Sequence, residues 1–229
     1  MKRRNVVAVL TLLVLAGVLP IFAAERPDPK VPQGENLDVP VGWKIRLDHP
    51  DHPAVISADK DEADIWFVNM TPGWHITTKP AAIFYHPAST ASGNFRAETK
   101  IFLFDTEGRN EGYGLIFGGE DLEGDDQAYN YFLLRNSGEF LIKNRKGSET
   151  SVVQGWTSHE SIRRWEGADS STENVLAVEC SDETVTFFVN GSEVASFPRA
   201  EIKTEGIVGL RMNHRVNVHV GDLTVTPLD

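Results

Sequence analysis

Within Asn94–Asn144 the chain reads NFRAETKIFLF (94–104), YGLIFGG (113–119), the acidic run EDLEGDDQ (120–127), AYNYFLLRN (128–136) and EFLIKN (139–144). Each segment outside the acidic run carries apolar residues at every second position, and Gly, Asp and Asn punctuate the gaps, which predicts four β-strands. In the first, Phe95, Ala97, Thr99, Ile101 and Leu103 share one face. Arg96, Glu98 and Lys100 share the other, which turns apolar at Phe102 and Phe104. Three charges in alternation mark a solvated sheet face. In the second, Tyr113, Leu115 and Phe117 lie opposite Gly114 and Gly118, which would allow close approach of another backbone or of a ligand.

The same period extends in both directions. Upstream stand GWKIRLDH, AVISA, DIWFVN, Trp74–Ile76 and Ala82–Tyr85, with Trp43, Ile45 and Leu47 alternating. Downstream, VLAVECS and TVTFFVNGSEVASF predict a hairpin turned at Asn190-Gly191 in type I′ geometry, followed by GIVGLRMNH and RVNVHVGDLTVTPL. Gly147–Asn174 is polar and less regular, and Glu160–Trp165 reads as a short helical turn or a long loop over the sandwich. No helix of normal length is expected within 41–229, so these residues are read as one all-β sandwich domain.

The 229 residues are 41% hydrophobic and 24% charged, enough apolar content for a conventional core. Residues 1–24 join Lys2, Arg3 and Arg4 to an apolar run from Val6 to Val18 and a break at Pro20, the pattern of a secretory signal peptide. Residues 25–40 hold Pro27, Pro29, Pro32 and Pro40 and read as an extended linker. The expected location is therefore periplasmic or extracellular, with no membrane partner after cleavage. Cys180 is the sole cysteine, so no intrachain disulfide can form, and its VLAVECS context predicts a buried, inert thiol. A net charge of −11 sets the chain against phosphate backbones and excludes nucleic acid as the expected partner.

The order GNFRAETKIF, YGLIFGG, YNYFLLRNSGEFLIKN, NVLAVECSDETVTFFVNGSEV and GIVGLRMNHRVNVHVGDLTV resembles the concanavalin A-like lectin/glucanase superfamily. More narrowly it resembles the bacterial 3-keto-disaccharide hydrolase or family-16-like glycoside hydrolase domains. The resemblance runs from Trp74 to Val225 and implies a jelly-roll sandwich of two curved antiparallel sheets, with sugar on the concave face. Binding modules and hydrolases share that fold, so fold alone does not choose between them. The superfamily's E-x-D-x-x-E catalytic signature is absent. Its nearest approach, Glu123-Gly-Asp-Asp-Gln-Ala128, lacks the last acid and sits in a polar loop.

Candidate sites follow. Arg96, Glu98 and Lys100 share one strand face, and Arg211 and Asn213 share another. If those strands adjoin they make a polar floor for sugar hydroxyls, with Tyr113, Tyr131 or Trp156 stacking on a pyranose. The bland alternative is cross-strand ion pairing on a wet face. Asp121, Asp125 and Asp126 could offer oxygen ligands to Ca²⁺, against the alternative of a solvated hairpin tip. His75 and His86, each beside an aromatic residue, read as satisfied, partly buried histidines rather than general bases, and His49-x-x-His52 as a polar turn. The expected function is an exported module that binds a glycan or glycoconjugate. Two rivals stand beside it: a glycoside-cleaving hydrolase of the 3-keto-disaccharide type with Glu98 as acid/base, and a structural module of the cell envelope.

Overall fold

Period-2 alternation leaves each strand with one apolar face, and the chain buries these faces by stacking two sheets. A computed structural model describes residues 37–49, 53–167 and 171–229. The signal segment and nearly all of the Pro-rich linker lie outside the described residues. In chain order the strands are β1 (Lys44–Leu47), β2 (Ile56–Ser57), β3 (Ile65–Asn69), β4 (Trp74–Thr78) and β5 (Ala82–Ala91). Then come β6 (Phe95–Leu103), β7 (Tyr113–Glu120), β8 (Ala128–Arg135), β9 (Glu139–Lys146) and β10 (Glu149–Ser158). The last five are β11 (Thr172–Cys180), β12 (Thr184–Val189), β13 (Ser192–Pro198), β14 (Gly206–Met212) and β15 (Asn217–Pro227).

The sheets run β1-β5-β14-β7-β8-β9-β10 and β13-β12-β11-β6-β15-β4-β3-β2, with seven and eight strands. All pairings are antiparallel except the short β2–β3 ladder. The expected all-β jelly-roll sandwich is the observed fold. The four strands of Asn94–Asn144 all form, but they divide: β6 is central in the eight-stranded sheet, while β7, β8 and β9 are neighbours in the other.

Between the sheets pack Phe84, Leu115, Phe117, Phe132 and Phe140 from one side and Phe67, Phe95, Leu176 and Phe187 from the other, with Trp43, Ile45 and Leu47 at the margin. Tyr113 belongs to this core, fully buried, its hydroxyl accepting a hydrogen bond from Asn174 Nδ2 at 3.2 Å. Burial pushes that hydroxyl above its ordinary ionisation range. Cys180 is buried as expected, and desolvation pushes its thiol up to about 12. Asn190 (φ 52°) and Gly191 (φ 83°) both take the left-handed conformation that a type I′ turn requires.

Within the polar, less regular Gly147–Asn174, Glu160–Trp165 forms no strand or helix, but β10 supplies a ten-residue edge strand that was not anticipated. Its register against β9 shifts twice and its side chains are mostly exposed, so the backbone pairs without the apolar alternation that marks a half-buried strand. For the glycines of β7, close approach of another backbone is the one of the two expected alternatives that the structure meets. A Cβ on Gly114 would stand 2.2 Å from the Phe132 carbonyl oxygen, and one on Gly118 2.5 Å from that of Lys203.

A second buried cluster covers the outward face of the seven-stranded sheet: Ile83, Tyr85, Ile116, Leu122, Tyr129, Tyr131, Leu133 and Leu141. That face is concave, as one contact requires. Asp48 is held beside β5 by its backbone N–H to Ala81 O (3.0 Å), yet its carboxylate lies 3.6 Å from Arg145 on β9. Five strand spacings of about 4.8 Å would separate them by about 24 Å in a flat sheet, more than the two side chains can bridge. The sheet therefore curls toward its outward side.

Candidate functional site

Register lays two rows of side chains across the concave face. One runs Arg46, Ile83, Arg211, Gly114, Leu133, Leu141, and the other Lys44, Tyr85, Gly209, Ile116, Tyr131, Lys143. Arg211 stands at the centre. Its Nη1 and Nη2 donate to Asp48 Oδ1 and Oδ2 at 2.7 and 2.5 Å, and Nη1 also donates to the Tyr129 hydroxyl at 3.2 Å. The guanidinium lies 4.9 Å from the centre of the Tyr131 ring. Arg145 Nε donates to Gly147 O at 3.1 Å, and its Nη1 approaches Asp48.

Only 6% of Arg211 is exposed, so the pair with Asp48 is nearly dry. Removing two charges from water is costly, and bidentate geometry with further hydrogen bonds offsets that cost. Burial alone would raise the Asp48 carboxyl. The hydrogen bond and charge of Arg211, with Arg145 and His49, outweigh it and hold the group below its ordinary range. Burial would likewise favour a neutral Arg211, and Asp48 with the two tyrosines keeps it charged. The Nε of Arg211 and the Nε of Arg46 are buried donors with no hydrogen-bond partner among the described residues.

Beside this cluster, at the β1 edge, a cleft of about 310 Å³ is lined by Lys44, Arg46, Pro53, Tyr85, Leu122 and Glu123. The β7–β8 loop closes one side. Arg46 Nη1 donates to Leu122 O at 3.1 Å, and Lys44 Nζ stands 3.7 Å from Glu123 Oε1. At the far end of the face Arg135 lies 4.3 Å from the Trp156 ring centre and pairs with Glu139 at 2.7 Å. A Cβ on Gly112 would touch Leu133, Asn213 and Trp156 together, which places those side chains around one point.

The residues expected to bind sugar therefore separate into three places. Arg211, Asn213, Tyr131 and Trp156 meet on the concave face. Arg96, Glu98 and Lys100 point outward from β6 on the opposite side of the sandwich. The adjacency expected of these two groups does not occur: β6 pairs with β11 and β15, and β14 with β5 and β7. Arg96 is engaged by Glu98 at 2.8 Å and Glu179 at 3.1 Å and lies over Phe188. Tyr113 sits in the core and can stack on no ligand.

Asp121, Asp125 and Asp126 are exposed on the β7–β8 loop, where the Asp121 carboxylate folds onto its own turn against Gly124. Among the described residues no three His, Cys, Asp or Glu side chains converge on one point, so the three aspartates do not form a side-chain cluster around a single position.

His75 and His219 occupy the outward face of the eight-stranded sheet, whereas His86 lies on β5 of the other. His75 Nε2 is 2.7 Å from Asn217 Oδ1, and its ring lies among Trp66, Phe104 and His219. Burial lowers the pKa of both His75 and His219 to about 4. His86 accepts a hydrogen bond from Ala88 N–H at 3.2 Å, and His52 lies outside the described residues. Asp48, Arg46, Tyr85, Tyr129, Lys143 and Arg145 were not anticipated. Their signal was the same alternation: Arg46 between Ile45 and Leu47, and Tyr129 and Tyr131 around Asn130.

No protein-family model and no curated protein sequence matches this chain. Solved structures do match in shape. The carbohydrate-binding module CBM66 from Bacillus subtilis superposes with a TM-score of 0.56 at 11% identity, covering 85% of this chain and 99% of its own. The calcium-bound exoplasmic/lumenal domain of VIP36 gives 0.55 at 9%, covering 84% and 87%. A Bacillus subtilis protein of unknown function with a galectin-like fold gives 0.54 at 12%, covering 80% and 88%. At such identities the likeness establishes the fold alone: a galectin- and concanavalin A-like jelly-roll sandwich.

Proposed function

We propose that the protein is an exported carbohydrate-binding module and that it takes its glycan on the concave face of the seven-stranded sheet. The observation that carries this reading is the cleft of about 310 Å³ set against the ordered Arg211–Asp48–Arg145–Tyr129 network. Its volume falls in the range of small-ligand sites, and its lining joins charged hydrogen-bonding groups to Tyr85 and Leu122. Prepositioned polar groups beside an apolar surface suit a sugar, which offers hydroxyls at its rim and C–H groups on its faces. The carbohydrate-binding module CBM66 and the exoplasmic/lumenal domain of VIP36, which also has a mannose-bound form, share the fold.

Binding is favoured over cleavage of the 3-keto-disaccharide type. A glycoside-cleaving acid needs a carboxyl held protonated near neutral pH. The concave-face carboxyls whose ionisation moves, Asp48 and Glu139, both move down. Glu98 stands on the other sheet's outward face, paired with Arg96.

A glycan array probed with residues 25–229, with and without a calcium chelator, tests the reading. The expected result is chelator-insensitive binding that Arg46→Ala weakens and Glu98→Gln leaves intact. Loss of binding in Glu98→Gln would move the site to β6, turnover of a bound sugar would favour the enzyme, and silence across the array would favour a structural module.

A further inference from the structure

On that carbohydrate-binding reading, we infer that the sugar is anionic: the cleft and the cationic face beside it select a saccharide bearing carboxylate or sulfate groups. The chain as a whole carries −11, so an excess of positive charge on one surface is a local arrangement against the general trend. The strands of the concave face nonetheless present Lys44, Arg46, Arg135, Lys143, Arg145 and Arg211 against Glu139 and, just past β1, Asp48; the β7–β8 loop at its border adds Glu123 to the cleft and carries the exposed Asp121, Asp125 and Asp126. The outward face of the other sheet has the reverse balance, with Glu98, Glu173, Glu179 and Asp222 against Arg96 and Lys100.

Several of these cations are not used up by the fold. Lys143 has no ion pair or side-chain hydrogen bond among the described residues. Lys44 has only the 3.7 Å approach of Glu123, and both groups are more than half exposed. The Nε donors of Arg46 and Arg211 are buried and lack a partner among the described residues, and Arg211 is more than nine-tenths buried although its Nη atoms are held by Asp48 and Tyr129. Unmet buried donors are costly and are expected to find an acceptor. A low-dielectric concave floor also strengthens their pull on an anion relative to an open surface.

Glu123 explains how such a face stays quiet without ligand. Its carboxylate lies against Lys44 at the cleft, where a ligand's anionic group would lie. A bound uronate or sulfate would exchange with Glu123 for Lys44 and gain the Arg46 side of the cleft. The loop carboxylate therefore acts as a weak internal competitor.

The test measures binding of matched ligands to the mature chain by calorimetry: oligogalacturonate against its methyl ester, and a sulfated galactan against its desulfated form. At low salt the charged member of at least one pair is expected to bind about tenfold more tightly, since two exposed ionic contacts are each worth up to about fivefold. High salt should narrow the gap. Lys44→Gln should weaken the charged ligand by about two- to fivefold and spare its neutral twin, while Glu123→Gln should tighten the charged ligand by a similar factor. The pair that shows the preference identifies carboxylate or sulfate as the recognised group, and preference in both identifies charge alone. Equal binding of charged and neutral twins, or a Glu123→Gln variant that weakens the charged ligand, overturns the inference while leaving carbohydrate binding in place. Absence of binding to all four sugars overturns both.

Discussion

The outward faces of the two sheets are built from the same kind of strand, with charged side chains alternating against a common core, yet their charges end in opposite physical states. On β6, the Arg96 side chain is 28% exposed and each of its partners, Glu98 and Glu179, is 39% exposed. In the seven-stranded sheet, the Arg211 side chain is 8% exposed and its partner Asp48 19%. Curvature makes the difference. A sheet curled toward its outer side brings β1 and β9 together over β14, and what would be a wet ion pair becomes a desolvated network. The same alternation therefore yields a solvated surface in one sheet and a desolvated, ordered network in the other.

The difference should be largest in stability. Arg211→Ala leaves Asp48 buried without its partner and is expected to cost about 3–5 kcal/mol in urea unfolding. Asp48→Leu combined with Arg211→Met should recover much of the loss, because a dry apolar pair of similar bulk leaves no uncompensated charge. A small loss in Arg211→Ala would mean that the network is solvated after all.

The next effect belongs to the histidines of the eight-stranded sheet. With folded pKa values of about 4 against an ordinary 6.5, the unfolded chain binds the extra protons between those limits. Their contribution is complete above pH 6.5 and is lost as pH falls toward 4, on the order of 3 kcal/mol for each ring. His219→Phe should flatten the unfolding free energy across that window, and an unchanged slope would contradict the burial of its ring.

Asp48 acts in a lower window. Its carboxyl is depressed, so its stabilisation is complete above the ordinary value near 3.8 and disappears as pH falls through the folded value. In Asp48→Asn that acid-linked loss should be missing from a titration of unfolding midpoints, although the variant starts less stable. The smallest effect is expected at Arg96→Ala, about 0–1 kcal/mol, as for other solvent-exposed ion pairs. A loss there equal to that of Arg211→Ala would erase the distinction between the faces.

Much of the sandwich was legible residue by residue. Phe95 to Leu103 alternate into the core as read, Phe102 and Phe104 do turn toward an apolar patch with Trp66 and His75, and Asn190-Gly191 makes its hairpin. Strand β10 was illegible because an edge strand with exposed side chains needs only backbone partners, and SVVQGWTS has no period to show. Of the candidate residues, Arg211, Asn213, Tyr131 and Trp156 share the concave face, but they had been linked to Arg96, Glu98 and Lys100 across what proves to be the full thickness of the sandwich. Asp48 and Arg145 were passed over because each is an ordinary charged residue at a strand end, and only their meeting makes them unusual.

Local alternation, turn chemistry and charge balance were properties of the sequence alone, because each depends on residues a few positions apart. They determined the strands, their apolar faces, the type I′ hairpin and the acidity of the whole. Which strands share a sheet, and which outward face curls inward, rested on pairings such as Arg211 with Asp48, 163 residues apart. A period of two is the same in either sheet, so the tertiary structure alone could decide which row of charges is washed by solvent and which is held as a buried network.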